Sequence, residues 1–293
     1  MLLVTCPLFD RAMRLGQLGE AFAEQAKING LVFEIKSAAN YLGFNTNSRI
    51  RYPMGDIVVR VWTHNIWKAL ERREWEYNCL SFVASKVNKG DVILDIGAFY
   101  GQYSILFSKL VGDIGVVYAF EPSPRTLAIL RNNTGQNGLD NITTIGLCLS
   151  NIVGSMTLRT FGHSSDRNTI IKESIDLPFK EITVSATTVD DFCKENSVQP
   201  NGIKVDVEGA EGLVIEGAEN VLRKCSPWVL LEFHGMLMSE EARENNWRKI
   251  SETAKKIILL GGGRGEECRV GEEIGSPPSM DFLRNRLHLF IQY

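Results

Sequence analysis

The sequence predicts an α/β fold, a doubly wound and mostly parallel sheet with helices on both faces. Two observations predict it. From Gly90 onward, short apolar runs alternate with amphipathic stretches, the rhythm of repeated βαβ units. Those runs are also continuous in Val, Ile and Leu rather than alternating, as strands buried on both faces require. Composition agrees: 293 residues, 44% hydrophobic and 23% charged, with a net charge of -3. That is too apolar for a disordered chain and lacks the positive excess of a bulk nucleic-acid binder.

The elements follow in order. Residues 11–28 and 31–42 read as helices, each followed by glycine, Gly30 and Gly43. Ile50 to Trp62 reads as a hairpin turning at Pro53 and Gly55, and Asn65 to Val87 as one long amphipathic helix. Asp91–Ile96 is the first sheet strand and 101–111 its helix. Gly115–Phe120 is the second strand, followed by a helix from Pro124, where proline's missing N–H is harmless. Asn141–Leu149 is the third strand. Gly154–Thr160 and Glu181–Ala186 flank a polar stretch, 161–180, long enough to be an active-site lid. Thr188 is a helix N-cap with Asp190 and Asp191 behind it. Ile203–Val207 is the fourth strand and Ala210–Arg223 its helix, and Trp228–Phe233 is the fifth strand. Ser239–Leu260 reads as a long helix closed by Gly261-Gly262-Gly263, and Leu287–Ile291 as a last strand.

Six cysteines stand singly, without C-x-x-C pairs or zinc-finger spacing. Dispersed thiols suit a reducing compartment, so a cytoplasmic protein is expected. The N-terminus lacks a basic n-region, so no signal peptide is expected, and no apolar run approaches the ~18 residues of a membrane span.

Ligands of such sheets bind beyond the carboxyl ends of the strands. There the first strand carries Asp95-Ile96-Gly97-Ala98-Phe99-Tyr100-Gly101, the second Glu121-Pro122, the fourth Asp206-Val207-Glu208-Gly209-Ala210-Glu211 and the fifth Glu232-Phe233-His234. The glycine spacing is D-x-G-x-x-x-G, not the G-x-G-x-x-G that cradles a pyrophosphate, and there is no P-loop. An acid before the turn suits a ligand with a cationic head. An acid after the second strand suits ribose hydroxyls.

These strings, with Tyr118-Ala119-Phe120 before Glu121 and Ile203-Lys204-Val205 before Asp206, resemble the FkbM family of S-adenosylmethionine-dependent methyltransferases. The likeness spans about residues 90–235, and Lys-x-Asp-x-Glu-Gly-Ala-Glu is its most specific part. It implies a Rossmann-like class I methyltransferase with a seven-stranded, mostly parallel sheet. By the same resemblance residues 76–293 form the methyltransferase domain, and 1–75 are a helical and hairpin extension on the acceptor side. The cofactor is then S-adenosyl-L-methionine. Asp95, Gly97 and Gly101 line its methionine side, Glu121 binds the ribose, Ser150 or Cys148 lies near the adenine, and Ala98 and Pro122 complete the lining. The acceptor is a hydroxyl of a sugar, lipid or natural product. Nucleic acid is not expected. The family often has Asn where this chain has Phe99.

A hydroxyl is a weak nucleophile, so a base must take its proton, a contribution typically of about 10²–10⁴-fold. The candidates are Asp206, His234, Glu208 and Lys204, with Asp206 first because its strand tip faces the transferable methyl. Structural roles compete for each. Glu208 and Glu211 suit a helix N-terminus, His234 suits a satisfied buried imidazole, and Lys204 suits an ion pair with Glu232. Cys148 reads as a small buried hydrophobe. A divalent metal on Asp206, Glu208, Glu232 and His234 is the less favoured arrangement, because their spacing matches no dedicated cage, and no metal site is assigned. Among the remaining histidines, His64, His163 and His288 read as structural, with His163 in the lid. Trp62, Trp67 and Trp75 read as core. A nicotinamide oxidoreductase and a non-catalytic module on the same fold are the alternatives.

Overall fold

A computed structural model describes residues 47–53, 57–62, 65–161, 168–171, 179–262, 271–274 and 278–293. The helices expected at 11–28 and 31–42, with His64, His163 and most of the lid, lie outside the described residues. The hairpin forms from β1 (Asn47–Arg51) and β2 (Val58–Trp62), paired antiparallel. The expected helix over 65–87 is two helices, α1 (Asn65–Glu71) and α2 (Tyr77–Ala84). Arg73 (φ 63°) and Glu76 (φ 43°) take left-handed backbone between them, which no right-handed helix can pass through.

The central sheet has seven strands in the order β11-β12-β10-β9-β3-β4-β5. They are β3 (Val92–Ile96), β4 (Val116–Phe120), β5 (Ile142–Ile145), β9 (Gly202–Val205), β10 (Trp228–His234), β11 (Lys256–Gly262) and β12 (Arg286–Gln292). Strands β3, β4, β5, β9 and β10 run parallel, and β12 is antiparallel to both β10 and β11. Helices α3 (Gln102–Val111) and α4 (Pro124–Gly135) follow β3 and β4, and Ser123 caps α4.

Three other expectations change. The third strand is split, because the chain leaves the main sheet after β5. It enters a small sheet of β6 (Cys148–Leu149), β7 (Gly154–Thr160) and β8 (Lys180–Thr187), ordered β6-β8-β7. The Thr188 cap opens α5 (Val189–Glu195) as expected. The helix after β9 is two short ones, α6 (Glu211–Glu216) and α7 (Glu219–Cys225). Gly217 between them backs onto strand β6's exit, where a Cβ would lie 2.0 Å from the Ser150 carbonyl oxygen. Finally, the helix from Ser239 ends early as α8 (Glu240–Ser251), and the apolar run Ile257–Leu260 is strand β11. A short helix α9 (Met280–Leu283) precedes β12.

One apolar core lies between the sheet and α5 to α8, with Leu94, Val205, Leu231, Phe233 and Ile291 at its centre. The other joins the opposite face to α1 to α3 and the hairpin, through Tyr52, Val61, Trp67, Leu80, Ile93 and Phe107.

Candidate active site

The tips of β3, β4 and β9 open onto one cavity of about 410 Å³, within the ordinary range of small-molecule sites. Gly97 turns the chain at the tip of β3 with φ 75°, and its N–H and that of Ala98 both donate to the Phe120 carbonyl oxygen. A Cβ on Gly97 would stand 1.8 Å from the Asp206 carbonyl oxygen, so only glycine lets strands β3 and β9 close here. Gly97, Ala98 and Phe99 line the cavity. Phe99 holds a left-handed φ of 50° and stacks on Tyr100, with ring centroids 3.7 Å apart.

Glu121 and Pro122 line the neighbouring wall. The buried Glu121 carboxyl accepts N–H bonds from Phe99 (3.1 Å, at Oε2) and Ser123 (2.9 Å, at Oε1). Burial pushes its pKa up to about 7 in spite of those two donors. Each oxygen keeps a lone pair for a ligand hydroxyl. Cys148 and Leu149 line the far side. Burial, with Glu121 nearby, pushes the Cys148 thiol up to about 11, so it stays a neutral apolar group.

Three residues expected at the cofactor do not line this cavity. Ser150 is fully buried, and its N–H donates to the Thr187 carbonyl oxygen (3.0 Å). Gly101 begins α3 with φ 94° and packs against Leu130. Asp95 is fully buried behind the turn, where it accepts a hydrogen bond from Ser104 Oγ (2.5 Å) and faces Lys204 (3.5 Å). Its place is to hold Lys204 rather than to touch a ligand.

Lys204 is one of the four expected catalytic residues, and its geometry is that of a tether. Its Nζ donates to the Gly97 carbonyl oxygen (2.8 Å) and reaches Asp206 Oδ2 (3.4 Å). Its partners are Asp95 and Asp206, not Glu232. Burial draws its pKa down, but Asp206, Asp95 and Glu76 outweigh it and hold the pKa above the usual lysine range. A lysine held cationic is no base.

Asp206 and Glu208 line the cavity, and His234 stands behind them. Burial raises the Asp206 pKa, but Lys204, His234 and Arg286 outweigh it, and the net effect holds the carboxyl below its ordinary value. Glu208 has a left-handed φ of 52°, and Thr169 Oγ1 pins its carbonyl oxygen (2.7 Å). Burial pushes its pKa up to about 7 against the pull of His234. His234 Nδ1 bonds Glu211 Oε1 (2.8 Å), which also accepts the Gly209 N–H (2.9 Å). Its Nε2 faces Glu208 (3.5 Å), Glu232 (3.6 Å) and Asp206 (3.8 Å). Burial lowers its pKa, but Glu211 first, then Glu208 and Asp206, push the net value up to about 9.

Several members of this cluster were not expected at the site. Arg286 and His288 both reach Glu232 from β12, His288 Nε2 at 3.3 Å, and Glu76 approaches His288 (3.8 Å). Glu76 also accepts a hydrogen bond from the Tyr103 hydroxyl (2.8 Å). The antiparallel register sets Glu232 opposite His288 and His234 opposite Arg286. The spacing Glu-x-His facing Arg-x-His was the available signal, but only once β10 and β12 are paired. Of the tryptophans, Trp67 is core, while Trp75 lines the cavity edge-on to Tyr103.

A family model described as the methyltransferase FkbM domain matches residues 95–261, more than half of the chain. The chain belongs to the FkbM methyltransferase family. The matched region is a methyltransferase domain, which favours that reading over the oxidoreductase and non-catalytic ones. The hexuronic acid methyltransferase AglP of Haloferax volcanii is 26% identical over 170 residues. That match covers 58% of this chain and 66% of AglP. A crystal structure of methyltransferase FkbM from Methylobacillus flagellatus KT is similar over 73% of this chain and 47% of that one, with 18% identity and a TM-score of 0.44. Aeropyrum pernix fibrillarin with natively bound S-adenosyl-L-methionine is similar over 83% of this chain and 97% of that one, with 13% identity and a TM-score of 0.42. The FkbM cofactor fits the cavity. A glycine turn that a Cβ would fill, a carboxylate with free lone pairs and an acidic wall at Asp206 and Glu208 match a nucleoside with a cationic head.

Proposed function

We infer that the protein methylates a hydroxyl oxygen on a sugar-like acceptor. The observation that carries this reading is the position of Asp206. It is a carboxylate held ionised at the tip of β9, in the same cavity as Gly97 and Glu121. Bound S-adenosylmethionine supplies an electrophilic methyl group. Glu121 receives the ribose hydroxyls, and the Gly97 turn lets the backbone approach the ligand. Asp206 accepts the hydroxyl proton as the oxygen attacks, and Lys204 fixes the carboxylate's direction through Oδ2. Trp75, Phe99 and Tyr103 give the cavity an aromatic side on which the apolar face of a sugar ring can lie. AglP, whose name gives a hexuronic acid as its acceptor, supports the sugar class.

The test is an acceptor panel of sugars, amines and carboxylates with methyl-labelled cofactor, run with the wild-type protein and Asp206→Asn. Label is expected on a sugar hydroxyl. Asp206→Asn should lose at least about 10²-fold in turnover while binding the cofactor normally by calorimetry. Label appearing only on amines, or wild-type turnover in Asp206→Asn, would sink the reading.

A further inference from the structure

His234 is almost wholly buried, and its imidazole is committed on one side only. Glu211 is itself fully buried and holds Nδ1 at 2.8 Å. A carboxylate there receives Nδ1–H and leaves Nε2 pointing the other way, where a metal ion can take the place of its proton. Among the described residues Nε2 makes no hydrogen bond, and the carboxylate oxygen in front of it, Glu232 Oε1 at 3.6 Å, is held by its ion pair with Arg286. A buried ring nitrogen left in this state is costly. Asp206 Oδ1 stands 3.8 Å from the same nitrogen.

We propose that Asp206, Glu232 and His234 bind one divalent transition-metal ion, of the Mn²⁺ type, at the edge of the active-site cavity. One ligand atom from each of these residues lies within 4.8 Å of the other two. Atoms about 2.1 Å from a shared ion stand roughly 3.0–3.5 Å apart, so the two His234 pairs close by a few tenths of an ångström and the carboxylate pair by at most about 1.8 Å. The donor set of one imidazole and two carboxylates suits a divalent ion intermediate between Mg²⁺ and Zn²⁺ in softness. The Glu211–His234 pair is the carboxylate–histidine arrangement that orients a metal-binding imidazole. A proton on Nε2 finds no acceptor within hydrogen-bond reach, whereas an ion in its place meets both carboxylates. Glu208 Oε1, 3.5 Å from Nε2, is placed to join them.

The charge pattern supports the same conclusion. Asp95, Asp206, Glu208, Glu211 and Glu232 crowd one end of the cavity, and Lys204 and Arg286 are the fixed cations among them. Arg286 Nε lies against the same Glu232 oxygen, but its side chain is half-exposed and can yield that oxygen. Asp206 meets Lys204 through Oδ2 and the ion through one lone pair of Oδ1, and the second Oδ1 lone pair keeps the role of Asp206 in the methyltransferase reading on which this inference rests.

The experiment is a Mn²⁺ titration of the EDTA-stripped full chain, read as loss of the free-ion signal in electron paramagnetic resonance, with no cofactor or acceptor present. One ion per chain is expected. His234→Gln and Glu232→Gln should each weaken binding at least about tenfold, and His288→Gln should leave it within about twofold. No site saturating below about 1 mM would overturn the proposal. So would affinity unchanged in both Glu232→Gln and His234→Gln, or a loss confined to His288→Gln. Cofactor binding by calorimetry on the same stripped proteins reports their folding. It also separates failure of the metal site from failure of the methyltransferase reading.

Discussion

Glu121 carries two demands that titrate in opposite directions. In the free protein its carboxyl is pushed up to about 7 by burial, while the proposed role at the cofactor needs the carboxylate to accept ribose hydroxyls. Cofactor affinity should therefore be level above about pH 8 and fall towards tenfold per unit well below pH 7. Stability should respond the other way. A carboxyl raised from 4.5 to about 7 in the fold favours the folded state below 4.5, and that contribution is lost as pH rises through 7. Calorimetric titrations from pH 6 to 8 test the first sign, and urea melts of the free protein test the second. Glu121→Ala should weaken cofactor binding by roughly 10- to 100-fold and flatten the pH dependence of binding. Lys204 gives a different kind of prediction. Removing it leaves Asp95 and Asp206 buried without their counter-ion, so Lys204→Ala should cost about 3–5 kcal/mol in urea unfolding. A lysine whose only duty was chemical would leave the unfolding midpoint unmoved.

At the scale of elements, the site exists because β3 and β9 approach each other closely at their tips. Gly97→Ala puts a methyl group 1.8 Å from the Asp206 carbonyl oxygen on a left-handed backbone. It should destabilise the fold by several kcal/mol, at about the upper end of single-substitution effects, and abolish cofactor binding. A stable Gly97→Ala protein that binds cofactor normally would show that the turn is not closed against β9. The strands that carry the chemistry were legible because parallel strands buried on both faces leave unbroken apolar runs, and Asp95, Glu121 and Asp206 end those runs. Strand β11 was hidden because Ile257–Leu260 follows α8 after a four-residue turn, Glu252–Lys255, that contains neither Gly nor Pro. The Gly261-Gly262 pair then suggested a helix stop, although Gly261 marks a register shift against β12. The break between α1 and α2 was hidden for the same reason, since Arg73 and Glu76 are unusual residues for left-handed backbone. The Glu232–His288 contact depends on an antiparallel register that no single segment contains.

For the whole molecule, the question is how tightly the segment before α2 is bound to the sheet. Sequence alone separates residues 1–75 as an extension, yet β1, β2 and α1 contribute Ile50, Tyr52, Val59, Val61, Trp67 and Leu70 to the core that also holds Ile93, Tyr103 and Phe107. The Tyr52 hydroxyl donates to the Gln102 carbonyl oxygen (2.6 Å) at the first turn of α3, directly behind the cofactor turn. Trp67 is fully buried in this core, so Trp67→Ala should cost about 3–5 kcal/mol. If the hairpin and α1 fold as one unit with the sheet, that loss lowers a single calorimetric transition by roughly 10 °C. A separately folding extension would instead show a small transition that moves alone while the main melt stays in place. The shared core favours the first outcome, because Trp67 lies in one apolar cluster with Ile93 of the strand that leads to Gly97. Cavity residues such as Trp75 and Glu76 are then fixed relative to the Gly97 turn by common packing, not by a hinge.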